Sequence, residues 1–286
     1  MFVILLIVQA VGFEFLSVDP VARRNQGGIA VLGDGYELMY NASALGFAEN
    51  RISTISYFNY IGGTHFGQLG HQMKTIALGA KYFNGGSLKH TDNMGNELEP
   101  ATFGVNFIDL SAGKGFRIKE VFALGGCVKF QYQRIDTFTA LGAGVDLGAT
   151  YRIKENAAIG AVVKNLGMGI KPFIEEREML PLEFGVGGAV NGRNYSLYAD
   201  VYAPVEGPAN FRTGLEYWVL SAVGLKGGFN SFLFETKTGE GAIDLVTGLS
   251  AGVAIKVRRF CVDYLVAPYG ELAITHRISL SFRHNL

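Results

Sequence analysis

From Arg51 onward the chain alternates, residue by residue, between apolar side chains and small or polar ones, the period of a strand with two different faces. The clearest run is 139–152, where Leu141, Ala143, Val145, Leu147, Ala149 and Tyr151 alternate with Gly142, Gly144, Asp146, Gly148, Thr150 and Arg152. What constrains the fold is the composition of the second face. A strand on the outside of a soluble sandwich turns Lys and Glu to water, but here the polar face holds mostly Gly, Ala, Ser and Thr. The whole chain agrees: 39 of its 286 residues are glycine and only 17% are charged, against about 7% and 25% in ordinary globular proteins. An apolar face without charge and a small-residue face with few charges describe a wall between lipid and a lumen.

Cutting at turn residues predicts fourteen strands, at 51–60, 64–71, 73–83, 101–112, 121–133, 139–152, 157–166, 182–191, 194–202, 209–219, 222–231, 246–257, 260–267 and 274–283. All seven prolines fall outside these segments, as strands paired on both sides require. The long connections, 84–100, 167–181 and 232–245 above all, gather at one end of the sheet and the short turns at the other. That asymmetry separates extracellular loops from periplasmic turns in outer-membrane barrels. The expected fold is therefore all-β, a 14-stranded antiparallel transmembrane β-barrel over 51–286, placed in the outer membrane with lipid around it.

Charges on the inner face, at Lys129, Asp146, Lys164, Asp200, Glu216, Lys226, Lys256, Asp263 and Arg277, carry both signs. They are expected to pair in a network that stabilises the interior, in preference to lining an ion path. Tyr60, Tyr82, Phe83, Tyr132, Tyr151, Tyr195, Tyr217, Phe229, Phe260 and Phe282, near strand ends, are expected in the interfacial girdles. The 25 basic and 25 acidic residues cancel, which leaves no positive field for a nucleic acid. Cys127 and Cys261 lack metal or redox spacing and, six strands apart around the ring, should remain thiols. No cofactor fingerprint is present. The five histidines suit a rim better than a metal site. Gly248-Leu249-Ser250-Ala251-Gly252 matches the G-x-S-x-G nucleophile pattern, but inside an alternating strand Ser250 reads as another small lumenal residue, so no catalytic residue is expected.

Ahead of the strands, Phe2 to Val11 reads as the apolar region of a secretory leader ending near Gly12, giving a leader over 1–12. Residues 13–50 are Gly-rich and end in a helix-like stretch, Tyr36 to Leu45, with Asp34 and Glu37 as a capping pair and Gly46 as a stop. This segment is expected to sit in the lumen as a hatch, since a 14-stranded barrel has room for it. Val18-Asp19-Pro20-Val21-Ala22-Arg23, Gly27-Gly28-Ile29-Ala30-Val31 and Tyr40-Asn41-Ala42-Ser43-Ala44-Leu45-Gly46 resemble the N-terminal region of the PorV/PorQ-like outer-membrane proteins, a branch of the FadL-like fatty-acid-transporter barrels. Val262-Asp263-Tyr264, Ala267-Pro268-Tyr269-Gly270-Glu271-Leu272 and Thr275-His276-Arg277-Ile278-Ser279-Leu280-Ser281-Phe282 resemble that family's closing hairpin. The resemblance departs where the family's Asn-Pro-Ala reads Asn41-Ala42-Ser43, which removes a rigid turn, and where His284-Asn285-Leu286 follow the last aromatic residue. It marks Gly27, Gly28, Asn41, Ala42 and Ser43 as the hatch motif. It implies a component of type IX-like protein secretion or surface attachment that binds secreted cargo through the long loops. The alternative is a hatch-gated transporter of hydrophobic ligands such as fatty acids, and a remote third is an outer-membrane hydrolase.

Overall fold

A computed structural model describes the chain except residues 1–11, 25–26, 93, 95, 176, 237–245, 271 and 285–286. All of the expected leader but Gly12 and much of the 232–245 connection, together with Glu271, Asn285 and Leu286, lie outside the described residues. Fourteen strands follow one another in order: β1 (Arg51–Asn59), β2 (His65–Met73), β3 (Ile76–Thr91), β4 (Glu97–Lys119), β5 (Phe122–Ile135), β6 (Phe138–Lys154) and β7 (Ala157–Lys171), then β8 (Glu183–Asn191), β9 (Tyr195–Pro204), β10 (Asn210–Trp218), β11 (Val223–Asn230), β12 (Leu249–Val257), β13 (Phe260–Pro268) and β14 (Ile274–Arg283). Each pairs antiparallel with its sequence neighbours, and β14 pairs with β1 to close the barrel. The closure registers Ser56 against Ser279, whose hydroxyls lie 2.7 Å apart inside the wall.

The two faces separate as the alternation requires. Leu147, Leu215 and Val253 are exposed on the outer face, while their neighbours Asp146, Gly214 and Ala254 are buried inward. Short turns at 74–75, 120–121, 155–156, 192–194, 219–222 and 258–259 mark one end. The other end carries 60–64, 92–96, 136–137, 172–182, 205–209, 231–248 and 269–273.

Several boundaries differ from the sequence reading. Much of 84–100 and the start of 167–181 are strand. β3 and β4 run on beyond the apolar band, where both faces meet water, so the apolar-to-small contrast fades and the segments look like loops; β7 keeps the alternation, with Leu166, Met168 and Ile170 outward between Gly167 and Gly169. Pro100 accordingly lies within β4, where pairing to β5 begins only at Val105 and the proline occupies an open edge. Pro204 and Pro268 are the last residues of β9 and β13. The β2–β3 turn falls at Lys74-Thr75 and not at residue 72, with Lys74 taking φ 58°. Cys127 and Cys261 are free thiols.

Leu215→Arg turns a charge toward lipid and is expected to cost about 2–4 kcal/mol, read as the shift in urea-dependent folding into liposomes. Gly214→Ala should fail for a different reason, since its Cβ would collide with the Tyr198 ring, so adding Tyr198→Ala should restore Gly214→Ala and leave Leu215→Arg unrescued.

Candidate functional site

The inner face of the barrel is met all the way round by residues 13–47. Lys81 Nζ donates to the carbonyls of Leu16 (3.0 Å) and Val18 (2.9 Å), Ala22 N donates to Ser279 Oγ (2.8 Å), and Arg277 Nε donates to the Asp19 carbonyl (3.1 Å). Asn41 and Ser43 bond to Thr150 on β6, and Gly28 N donates to Asp200 on β9. A segment that touches β3, β6, β9 and β14 through their inward residues lies in the lumen.

Small inward residues make this approach feasible. A Cβ on Gly125 would lie 2.5 Å from the Ser43 backbone, and one on Gly115 would strike Gly46 N, so β4 and β5 accept the 3₁₀ turns of Ala42–Phe47 directly against their backbones. Gly46 lies within those turns and does not stop a helix. A single α-helical turn, Glu37–Tyr40, precedes them. Asp34 bonds Tyr36 N at 3.0 Å and Glu37 bonds the amides of Gly33, Asp34 and Gly35, so the pair organises the loop before the turn more than it caps a helix. The missing proline is also compensated: Asn41 Oδ1 accepts from Ser43 N (3.1 Å) and Ser43 Oγ (2.6 Å), a side-chain turn that fixes the same corner. Ala42 is buried beside it against Leu38, Leu45 and Cys127.

Charges group into separate sets. Arg23 reaches Glu216 (3.0 Å) and Asp263 (3.1 Å), and Lys226 reaches the same two carboxylates at 2.6 and 3.0 Å, which ties the N-terminal segment to β10, β11 and β13. Asp146 pairs with Lys129 at 2.7 Å and accepts Asn165 N at 2.7 Å. Asp200 takes the Gly28 and Ile29 amides; Gly28 needs its φ of 105°, and a Cβ on Gly27 would lie 2.7 Å from the Asp200 carboxylate. Lys164 lines a small hollow with Lys81, Lys129, Asp109 and Glu183, whereas Lys256 is exposed at the short-turn rim. Within the segment, Arg24 grips Asp34 at 2.5 Å over the Tyr40 ring. Burial pushes the Asp34 carboxyl up, but Arg24 outweighs it and holds the group below the usual carboxylate range. Burial, then Asp34 itself, pushes Glu37 up.

Above these polar sets, at the long-loop end, lies an apolar belt that the sequence reading missed. Phe58, Phe66, Phe83 and Phe107 stand directly opposite one another across β1, β2, β3 and β4, all facing inward and almost wholly buried. Successive ring centroids are 6.0, 4.6 and 5.3 Å apart. Arg277 lies 4.0 Å from the Phe58 ring, and Tyr60 and Tyr269 close one side. Phe83 and Tyr60, expected in the interfacial girdles, thus belong to the lumen, while Tyr82, Tyr151, Tyr195, Tyr217 and Phe260 are exposed on the outer face. Phe13, Phe15 and Leu16 of the N-terminal segment fill the belt, with the Phe15 ring 5.3 Å from Phe107. The available signal was paired apolar neighbours, Tyr57-Phe58, Tyr82-Phe83 and Phe107-Ile108, where alternation gives way because both faces are greasy.

Ser250 lies within β12 opposite Gly228, away from any strand-to-helix turn. Among the described residues no group of three His, Cys, Asp or Glu side chains could hold a metal.

No protein-family model matches the chain, and no curated protein matches it in sequence. Its fold is similar to solved outer-membrane channels. The Ralstonia pickettii toluene transporter TbuX aligns with TM-score 0.61 at 13% identity, over 96% of this chain and 100% of that one. The Pseudomonas putida toluene transporter TodX aligns with TM-score 0.59 at 12% identity over 93% and 97%, and a Pseudomonas aeruginosa FadL homologue with TM-score 0.54 at 11% identity over 90% and 95%. The chain is a closed 14-stranded barrel with the FadL-like fold, and its predominantly apolar outer face places it in the outer membrane.

Replacing Asp263 with Ala leaves Arg23 and Lys226 sharing Glu216 alone. It should cost about 3–5 kcal/mol, the usual penalty for breaking a buried ion pair, measured from the urea midpoint of the liposome-inserted protein.

Proposed function

We propose that this barrel admits uncharged hydrophobic small molecules across the outer membrane, with the N-terminal segment as its hatch. The observation that carries the reading is the belt of Phe58, Phe66, Phe83 and Phe107: a buried aromatic lining at the long-loop mouth of a lumen that is otherwise small and polar. Water has nothing to bond there, whereas an apolar solute gains the burial of its whole surface. Phe13, Phe15 and Leu16 occupy that space in the closed arrangement, so an entering ligand competes with the chain's own side chains. The polar bonds of residues 19–47 hold the rest of the hatch against the wall while the first turn gives way. The inward charges serve as anchors of the hatch and not as an ion path, because Arg23, Lys226, Lys129 and Arg24 each already meet a carboxylate. The similar folds of the toluene transporters support the same class of ligand.

The secretion reading rests on the PorV/PorQ-like resemblance at the two ends of the chain. Of the three connections it would use for cargo, 84–100 is in large part strand, while 167–181 is strand only over 167–171.

Cells carrying the protein should take up a labelled monoaromatic hydrocarbon or long-chain fatty acid faster than cells with an empty vector. Phe66→Glu should lower that uptake at least tenfold while heat-modifiable migration reports an intact barrel, and Phe15→Ala should preserve it. Uptake equal to the vector control for both solutes would overturn the proposal.

A further inference from the structure

The outer face of the wall carries a second feature, independent of the lumen. Across β14, β1, β2 and β3 the registers align Leu280, Ile55, Leu69 and Ala80 in one row and Phe282, Ser53, His71 and Leu78 in the next, toward the short turns. Ser53 and Ala80 are short among large neighbours, and the backbone beneath is thinned by Gly70 and Gly79. The result is a hollow of about 450 Å³, within the usual range for small-molecule sites, open to the lipid side and walled by Ile55, Leu69, Leu78 and Leu280.

The end of the hollow nearest the short turns is polar. Ser53 Oγ lies 2.9 Å from His71 Nδ1 and 2.8 Å from His284 Nε2, and the two imidazoles meet edge to face at 5.6 Å. The other nitrogen of each ring has no hydrogen-bond partner among the described residues. Around this cluster the rim is basic: Arg51, Lys74, Arg258 and Arg259 are all exposed, and Glu49 is the one acid in the segments that carry them. Two other short turns pair the signs, at Lys119-Glu120 and Lys154-Glu155.

A hollow that opens only to the hydrocarbon region is filled from the bilayer, and an apolar slot ending in hydrogen-bonding groups and basic side chains suits an acyl chain with an anionic head. Short turns lie at the periplasmic end of such barrels, so the occupant belongs to the periplasmic leaflet. We infer that the β14–β1–β2–β3 face binds one anionic phospholipid, its acyl chain in the hollow and its phosphate against Ser53, His71, His284 and the Arg51 side chain.

Native mass spectrometry of the delipidated full chain, re-exposed to phosphatidylglycerol or to phosphatidylcholine, tests this. The wild type should retain one phosphatidylglycerol at least tenfold more strongly than phosphatidylcholine. Ala80→Phe, which fills the hollow, and the double variant Ser53→Ala/His71→Ala, which removes the head-group contacts, should each lose that adduct at least tenfold. Val201→Phe, on the distant lipid face of β9, should keep it. Equal retention of the two lipids by the wild type overturns the inference, as does wild-type retention of phosphatidylglycerol by the double variant, which decides alone if Ala80→Phe does not fold. Either result leaves the uptake reading untouched.

Discussion

Each backbone amide that crosses hydrocarbon has to find its acceptor within the protein, because lipid offers none. In this chain the pairing of β14 with β1 meets that demand for the last two edges, and the remaining architecture follows from it. Once the ring closes, every strand has an inside and an outside, and the alternation of side chains decides what each side is. The outside becomes a continuous apolar surface. The inside is a space about fourteen strands round that must be filled or left wet.

The lumen is filled by the chain's own N-terminal segment, and the chemistry of the contacts divides it in height. Toward the short turns the segment is held by carboxylates and hydroxyls: Asp200 on the Gly28 and Ile29 amides, Thr150 on Asn41 and Ser43, and Asp263 with Glu216 on Arg23. Toward the long loops Phe13 and Phe15 are held by aromatic packing against the belt, and the one side-chain bond described there is from Lys81 to the Leu16 carbonyl. The two modes respond differently to an apolar solute. Buried ion pairs and amide bonds lose their partners if displaced, whereas aromatic packing can be exchanged for the packing of a ligand at little net cost. Under the proposed function, this difference would confine opening to the first turn.

The wall was legible in the sequence because its signal is local. Leu147 and Asp146 declare opposite faces by adjacency, and a run of such pairs fixes a strand without knowledge of its partner. The signal fades where the environment stops being two-sided, which explains the extensions of β3 and β4 past the apolar band. It also fades at the belt, where Tyr57 and Phe58 are both aromatic although one faces lipid and the other the lumen. The contacts that seat the N-terminal segment were not legible at all. Asp200 and Gly28 stand 172 residues apart, and nothing local to either residue announces the other. Asn41 shows the reverse case: a departure from the family's Asn-Pro-Ala reads as a lost turn in sequence, yet Ser43 restores the corner through its amide and hydroxyl.

Under the proposed function, apolar molecules occupy the aromatic belt inside the barrel. Photolabelling with a small aromatic diazirine, mapped to residues by mass spectrometry with and without excess toluene, addresses it directly because lipid-facing sites label without saturating. The account predicts saturable, toluene-competed labelling at Phe58, Phe66, Phe83 and Phe107 and at Phe15, above a non-competed background at residues such as Leu215 and Val253. Labelling confined to that outer background, with none in the belt, would contradict it.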